Sequence, residues 1–118
     1  MEAPVVQMDV RQMGTTVAVV DISGDVTGSC EPVLMAAYEE ADNQGAGHVI
    51  LNFAGLEYMN SSGIGILVTL LVRANRRHHK LAAYGLSAHY REIFELTRLD
   101  EAITLYDDEA SALAGAAR

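Results

Sequence analysis

Apolar and polar positions follow two rhythms along this chain, one of period two and one near 3.6. Met8-Asp9-Val10-Arg11 alternates weakly, and Thr16 to Ile22 (TVAVVDI) is a β-branched run closed at Gly24. With Gly14 between them they predict two neighbouring strands paired antiparallel. After Thr27-Gly28-Ser29, Pro32 suits the first turn of a helix. Val33, Leu34, Ala37 and Ala41 give that helix an apolar stripe opposite Glu39, Glu40 and Asp42, and it is expected to end near Gly45 and Gly47.

The second half repeats a strand-then-helix order. His48 to Phe53 (HVILNF) is an apolar run of strand length, followed after a short loop by a long helix from about Ser61 to His79, apolar at its start and basic at its end. Leu81-Ala82-Ala83-Tyr84 reads as the next strand, ended by Gly85, and Ala88 to Leu96 as an amphipathic helix with Ile93, Phe94 and Leu96 inward. Ala102 to Tyr106 is a short β-branched strand. Asp107-Asp108-Glu109 then gives a negative first turn to an Ala-rich helix reaching about Gly115. Strands joined through helices imply parallel crossovers, so the expected fold class is α/β, a mixed β-sheet of four or five strands flanked by α-helices.

At 118 residues there is room for one domain, spanning 1–118 with a core of about 5–114. Half the residues are hydrophobic and 20% are charged, too apolar a balance for a disordered chain. The uncharged stretch Tyr58 to Val72 includes Asn60, Ser61, Ser62 and Gly63 and falls short of the ~20 apolar residues of a membrane span. Met1-Glu2-Ala3-Pro4 has neither the basic start nor the apolar run of a secretory signal, so a cytoplasmic protein without membrane association is expected.

A net charge of -8 argues against binding the phosphate backbone of nucleic acid and points to a protein partner. The charge is uneven, with nine acids and one base in residues 1–72 and seven of each in 73–118. Arg73, Arg76, Arg77 and Lys80, with His78 and His79, form one local basic cluster, read as a solvated helix end that complements the helix dipole. Cys30 has no companion for a disulfide or a zinc site, so its expected role is packing. His78 and His79, adjacent on the predicted helix, face different ways, and His48 and His89 open separate elements; no metal and no cofactor are expected.

The chemistry concentrates in Leu56-Glu57-Tyr58-Met59-Asn60-Ser61-Ser62-Gly63-Ile64-Gly65, where two hydroxyls stand at the start of a helix just after a strand. Backbone N–H groups there lack intrahelical partners, and the dipole favours negative charge by about 0.3–1 kcal/mol when exposed. A phosphoryl group on serine is therefore compatible with the local fold. On the spacing alone the favoured reading is simply an N-cap, Asn60 or Ser61, with a solvated second serine. Gly63 and Gly65 read as sites of close helix packing rather than as a phosphate loop, since neither G-x-G-x-x-G nor G-x-x-x-x-G-K-[ST] is present. The G-x-S-x-G elbow of a serine hydrolase is also missing, which leaves that enzyme a minor alternative with Ser61 or Ser62 as nucleophile.

The run from Val49 to Leu71 with its preceding His48, HVILNFAGLEYMNSSGIGILVTLL, resembles the STAS domain of bacterial anti-sigma factor antagonists. Ile22-Ser23-Gly24-Asp25, the Lys80 to Gly85 strand and Ile93-Phe94-Glu95-Leu96-Thr97-Arg98-Leu99 extend the likeness over nearly the whole chain. The family motif is Asp-Ser-Ser/Thr-Gly-Leu/Ile-Gly, with the first hydroxyl phosphorylated by a serine kinase that is also the anti-sigma factor. By position that residue is Ser61, with Ser62 as the fallback.

The resemblance implies partner switching. The unmodified antagonist binds the anti-sigma factor kinase, a sigma factor is released, phosphorylation reverses this and a phosphatase restores binding. The chain would then be a substrate and a ligand, not an enzyme. The implied partner-facing residues are Gly24, Asp25, Val26 and Thr27 with Met59, Asn60, Ser61, Ser62 and Gly63, with Met59 and Tyr58 exposed as contacts. Two positions depart from the family. Asn60 stands where the motif has Asp, and Gly24-Asp25-Val26-Thr27 replaces a common Gly-Glu-Leu-Asp, losing the second acid. The alternative outside sigma control is a STAS scaffold or small-ligand sensor, since a fold does not decide a partner.

Overall fold

A computed structural model of the protein describes residues 6–117. The reading of Met1 to Pro4 and the outer limit of the core at residue 5 lie outside these residues.

Strand β1 (Val6–Gln12) turns back through Gly14 into β2 (Val17–Val26), and the two pair antiparallel from Val6↔Gly24 to Gln12↔Ala18. The chain then alternates: α1 (Glu31–Asn43), β3 (His48–Met59), α2 (Ser61–Arg76), β4 (Lys80–Tyr84), α3 (Ala88–Leu96), β5 (Ile103–Tyr106) and α4 (Glu109–Ala116). The five strands lie in the order β1-β2-β3-β4-β5, and every pair after the first is parallel. Right-handed crossovers that all advance in one direction put their helices on one face of a sheet. Helices α1, α2 and α3 accordingly share a core with Val20, Val49, Leu51, Phe53, Leu81 and Ile103, while among the described helices α4 covers Val19, Ile50 and Tyr84 on the other face. The side-chain period of two explains why TVAVVDI and HVILNF are apolar nearly throughout, since alternate residues enter different cores.

Several boundaries differ from the sequence expectation. Strand β3 does not stop at Phe53 but runs to Met59, because beyond the end of β4 it stays paired with β2 through Ser23↔Gly55, Asp25↔Tyr58 and Val26↔Met59, with irregularities that take up the polar residues. Helix α2 ends at Arg76, so His78 and His79 are not helical. His78 takes the left-handed conformation (φ 59°), and His79 folds back so that its Nδ1 lies 2.6 Å from the buried Tyr38 hydroxyl. Leu96 is not inward but 76% exposed, since two residues along a helix from the fully buried Phe94 lies nearly the opposite face. Val33 is exposed too, flanking an open groove between α1 and Met8 and Val10 of the edge strand.

One ion cluster anchors α4. Arg11 donates to Asp21 at 2.6 and 2.9 Å and to Glu109 at 2.8 Å, and Asn52 adds a bond to Asp21. The Arg11 guanidinium holds the Asp21 carboxyl below the usual aspartate range, against the opposing effect of partial burial. A carboxyl that protonates less readily when folded contributes fully above the unfolded value and loses that contribution as pH falls through the folded one. Below about pH 4 the Tm of the wild type should therefore fall more steeply than that of Asp21→Asn. Parallel Tm–pH curves would show that the pair contributes nothing.

Candidate functional site

The site forms where β2 and β3 end side by side. Val26 pairs with Met59, and the Val26 carbonyl accepts the Asn60 N–H at 3.3 Å, which fixes the point where β3 hands over to α2. Asn60 has extended backbone (φ -100°, ψ -179°) and its Oδ1 accepts the Gly63 N–H at 2.8 Å, the geometry of an N-cap worth about 1 kcal/mol. With those two N–H groups satisfied, the N–H groups of Ser61 and Ser62 are the open donors of the first turn. Both serines are exposed. The first turn carries no acidic residue, whereas Arg73 and Arg76 complement the dipole at the far end. The N-terminal pole of α2 is thus left electrostatically uncompensated and able to take a negative charge.

Two glycines set the geometry around the serines. A Cβ on Gly63 would collide with the Val26 carbonyl, so only glycine lets α2 sit this close to the end of β2. A Cβ on Gly28 would come within 3.1 Å of the Ser62 Cβ, which places Ser62 against the single 3-10 turn Gly28–Cys30 after β2. That turn is held by its own contacts. The Cys30 thiol donates to the Asp25 carbonyl at 3.3 Å and receives the Thr27 N–H at 3.5 Å, while Thr27 Oγ1 and Ser29 Oγ lie 2.9 Å apart. Cys30 is packed as expected, but its sulfur also shapes the loop beside the serines.

The residues named from sequence divide into surface and support. Ser61 and Ser62 are exposed, and Asn60, Gly24, Asp25 and Thr27 are half-buried. Met59, Val26 and Gly63 are buried, Met59 at 5% and Val26 at 1% exposed, so the expectation that they face a partner is corrected. The reason is the parity of β3: Met59 points into the core shared with α2, and its neighbour Tyr58, 50% exposed, faces outward as expected. Gly65 differs from Gly63, because a Cβ there meets nothing within 4 Å. Sequence reasoning missed Tyr90. Its hydroxyl accepts the Met59 N–H at 2.9 Å, tying α3 to the strand just before the serines, and its ring packs edge-on against His89. Nothing in a hydroxyl thirty-one residues away signals that bond.

Comparison with known proteins places this geometry in a lineage. The family model described as Mlab, STAS domain matches residues 10–107. An anti-sigma F factor antagonist of Paenibacillus polymyxa is 22% identical over 98 residues, covering 82% of this chain and 84% of its own. A crystal structure of an anti-sigma factor antagonist from Mycobacterium paratuberculosis superposes with a TM-score of 0.77 at 21% identity, covering 98% of this chain and 97% of that one. The Bacillus cell fate determinant SpoIIAA in its phosphorylated form superposes with a TM-score of 0.71 at 18% identity, over 95% of this chain and 100% of that one. The same antagonist has also been solved unphosphorylated, with a TM-score of 0.72. With a match that runs from β1 to the residue after β5, and with the same architecture in these neighbours, the chain belongs to the STAS domain family.

Proposed function

We propose that this chain is an anti-sigma factor antagonist whose binding to an anti-sigma factor kinase is switched off by phosphorylation of Ser61, with Ser62 as the fallback acceptor. The observation that carries the reading is the exposed serine pair on the first turn of α2, with two open N–H donors and no neighbouring acid on that turn. An added phosphate brings about -1.5 to -2 charges, which the helix pole tolerates and a partner surface that must shed water does not. The named relatives support the general role, and one of them has been solved with and without phosphate. In this reading the chain performs no chemistry. It is acted on by the kinase and by a phosphatase, and its contacts are Ser61, Ser62, Asn60, Tyr58 and the half-buried Gly24, Asp25 and Thr27, with Met59, Val26 and Gly63 holding them in place. The reading needs no cofactor, and it places the chain in the compartment of its kinase, the cytoplasm.

The test is incubation with ATP and each purified anti-sigma factor kinase of the source organism, followed by mass spectrometry. Phosphate on Ser61 is the expected result. Transfer to neither serine by any of these kinases would overturn the reading. One observation favours a second one, a STAS scaffold or small-ligand sensor outside sigma control: Asn60 in place of the motif's Asp.

A further inference from the structure

The exposed side of α2 does not end at the serines. Ser61, Gly65, Val68, Val72 and Arg76 recur at helical spacing and form one stripe facing solvent along the whole helix. Val68 is 43% and Val72 47% exposed, and they lie beside Thr69, Arg73 and Arg76 on the open face of α2. Gly65 sits in this stripe without an internal reason. Glycine in an exposed helix interior is destabilising relative to alanine, and here a Cβ would meet open space. What a bare Cα provides is the close approach of another backbone, and among the described residues no backbone outside α2 approaches it. At the end of the stripe, Arg76 has no ion-pair partner among the described residues, whereas Arg73 and Arg77 are both engaged by Glu39 of α1.

We infer that this stripe is a docking ridge for a helix of the anti-sigma factor partner, crossing α2 at Gly65, packing apolar side chains on Val68 and Val72, and setting a carboxylate opposite Arg76. The inference rests on the proposed function and extends its contact surface from the serine down the length of α2. Charge complementarity selects the occupant. Arg76, a dipole-complementing cation without an ion pair among the described residues, stands at the end of an apolar stripe and is complementary to an acidic residue from outside. A second copy does not supply it: two α2 helices paired antiparallel about a two-fold axis would set each Arg76 against the other's first turn, which carries no acid and is the positive pole of its dipole, and a parallel pair would set Arg76 against Arg76. The ridge also explains why phosphorylation at its upper end would act on the whole contact, since the partner helix would lie beside Ser61.

The experiment is calorimetric titration of the anti-sigma factor kinases of the source organism with wild type, Gly65→Ala, Gly65→Leu, Arg76→Glu and Ser61→Asp, alongside thermal melts. Gly65→Ala should raise Tm by about 3–5 °C, because it adds helix propensity at an open position. Gly65→Leu should keep a Tm at or above wild type and bind at least about tenfold more weakly, and Arg76→Glu should weaken binding by a similar factor that shrinks as salt rises. Rising stability with falling affinity is a pairing that a structural role for Gly65 does not produce. If Gly65→Leu and Arg76→Glu bind like wild type while Ser61→Asp does not, the ridge is overturned and the serine switch stands. If no kinase binds the wild type, both fall. A wild-type dimer in analytical ultracentrifugation that Gly65→Leu dissociates would make the occupant a second copy and overturn the inference.

Discussion

Gly63→Ala should destabilise the fold by about 2–3 kcal/mol and lower its Tm by about 10 °C, although it adds one methyl group to a helix that alanine otherwise favours. The methyl would run into the Val26 carbonyl, and that carbonyl cannot turn aside. It accepts the Asn60 N–H, its residue is in register with Met59, and the Met59 side chain closes the remaining side at 3.0 Å. Relief requires α2 to lift away from the sheet, which pulls Ile66, Leu67 and Leu70 from the core they fill. Two glycines separated by one residue should thus respond oppositely, Gly63→Ala losing stability and Gly65→Ala gaining it. An unchanged melting curve for Gly63→Ala would mean that the approach of α2 to β2 is looser than described.

On the proposed function, Ser61→Asp should weaken binding to an anti-sigma factor kinase by ten- to a hundredfold, about 1.4–2.7 kcal/mol, while Ser61→Ala stays within about twofold of wild type. A carboxylate at this position carries one charge where a phosphate carries nearly two, so the substitution reproduces part of the effect. Its stability should not fall, because an acid on the first turn of α2 compensates a pole that has none, by about 0.3–1 kcal/mol. Lost affinity together with retained or raised Tm separates a surface effect from unfolding. Equal affinities for Ser61→Asp and Ser61→Ala would remove the electrostatic basis of the switch.

The architecture was legible because alternate-residue and helical patterns are local. HVILNF and TVAVVDI identify themselves as strands buried on both faces, and Pro32 and the acidic stretch Asp107–Glu109 mark helix starts. Asp108 proves to be the cap of α4, its carboxylate accepting the Ser111 N–H at 2.8 Å. What could not be read depends on neighbours distant in sequence. Strand β3 continues past Phe53 because β2 offers it partners, a register no window of residues contains. Met59 and Val26 are adjacent to exposed candidate residues and apolar, so as contact residues they looked the same as support residues; the pairing of the two strand ends and the burial of both side chains show that they turn inward. Leu96 sits in an apolar-looking pattern but falls on the wrong side of Phe94 in a helix of nine residues. The serine pair itself was visible from its motif, and its accessibility was not: that comes from Asn60 capping the helix and from the end of β2, which runs on to Val26 and, with Thr27, sets the 3-10 turn beside Ser62 rather than over it.

The most direct measurement is a paired calorimetric titration of the anti-sigma factor kinase with the native chain, once unmodified and once carrying phosphate on Ser61, each checked by circular dichroism. Superimposable spectra and an affinity at least about a hundredfold lower for the phosphorylated chain are expected. Equal affinity, or a loss of affinity accompanied by loss of helical signal, would contradict the switch.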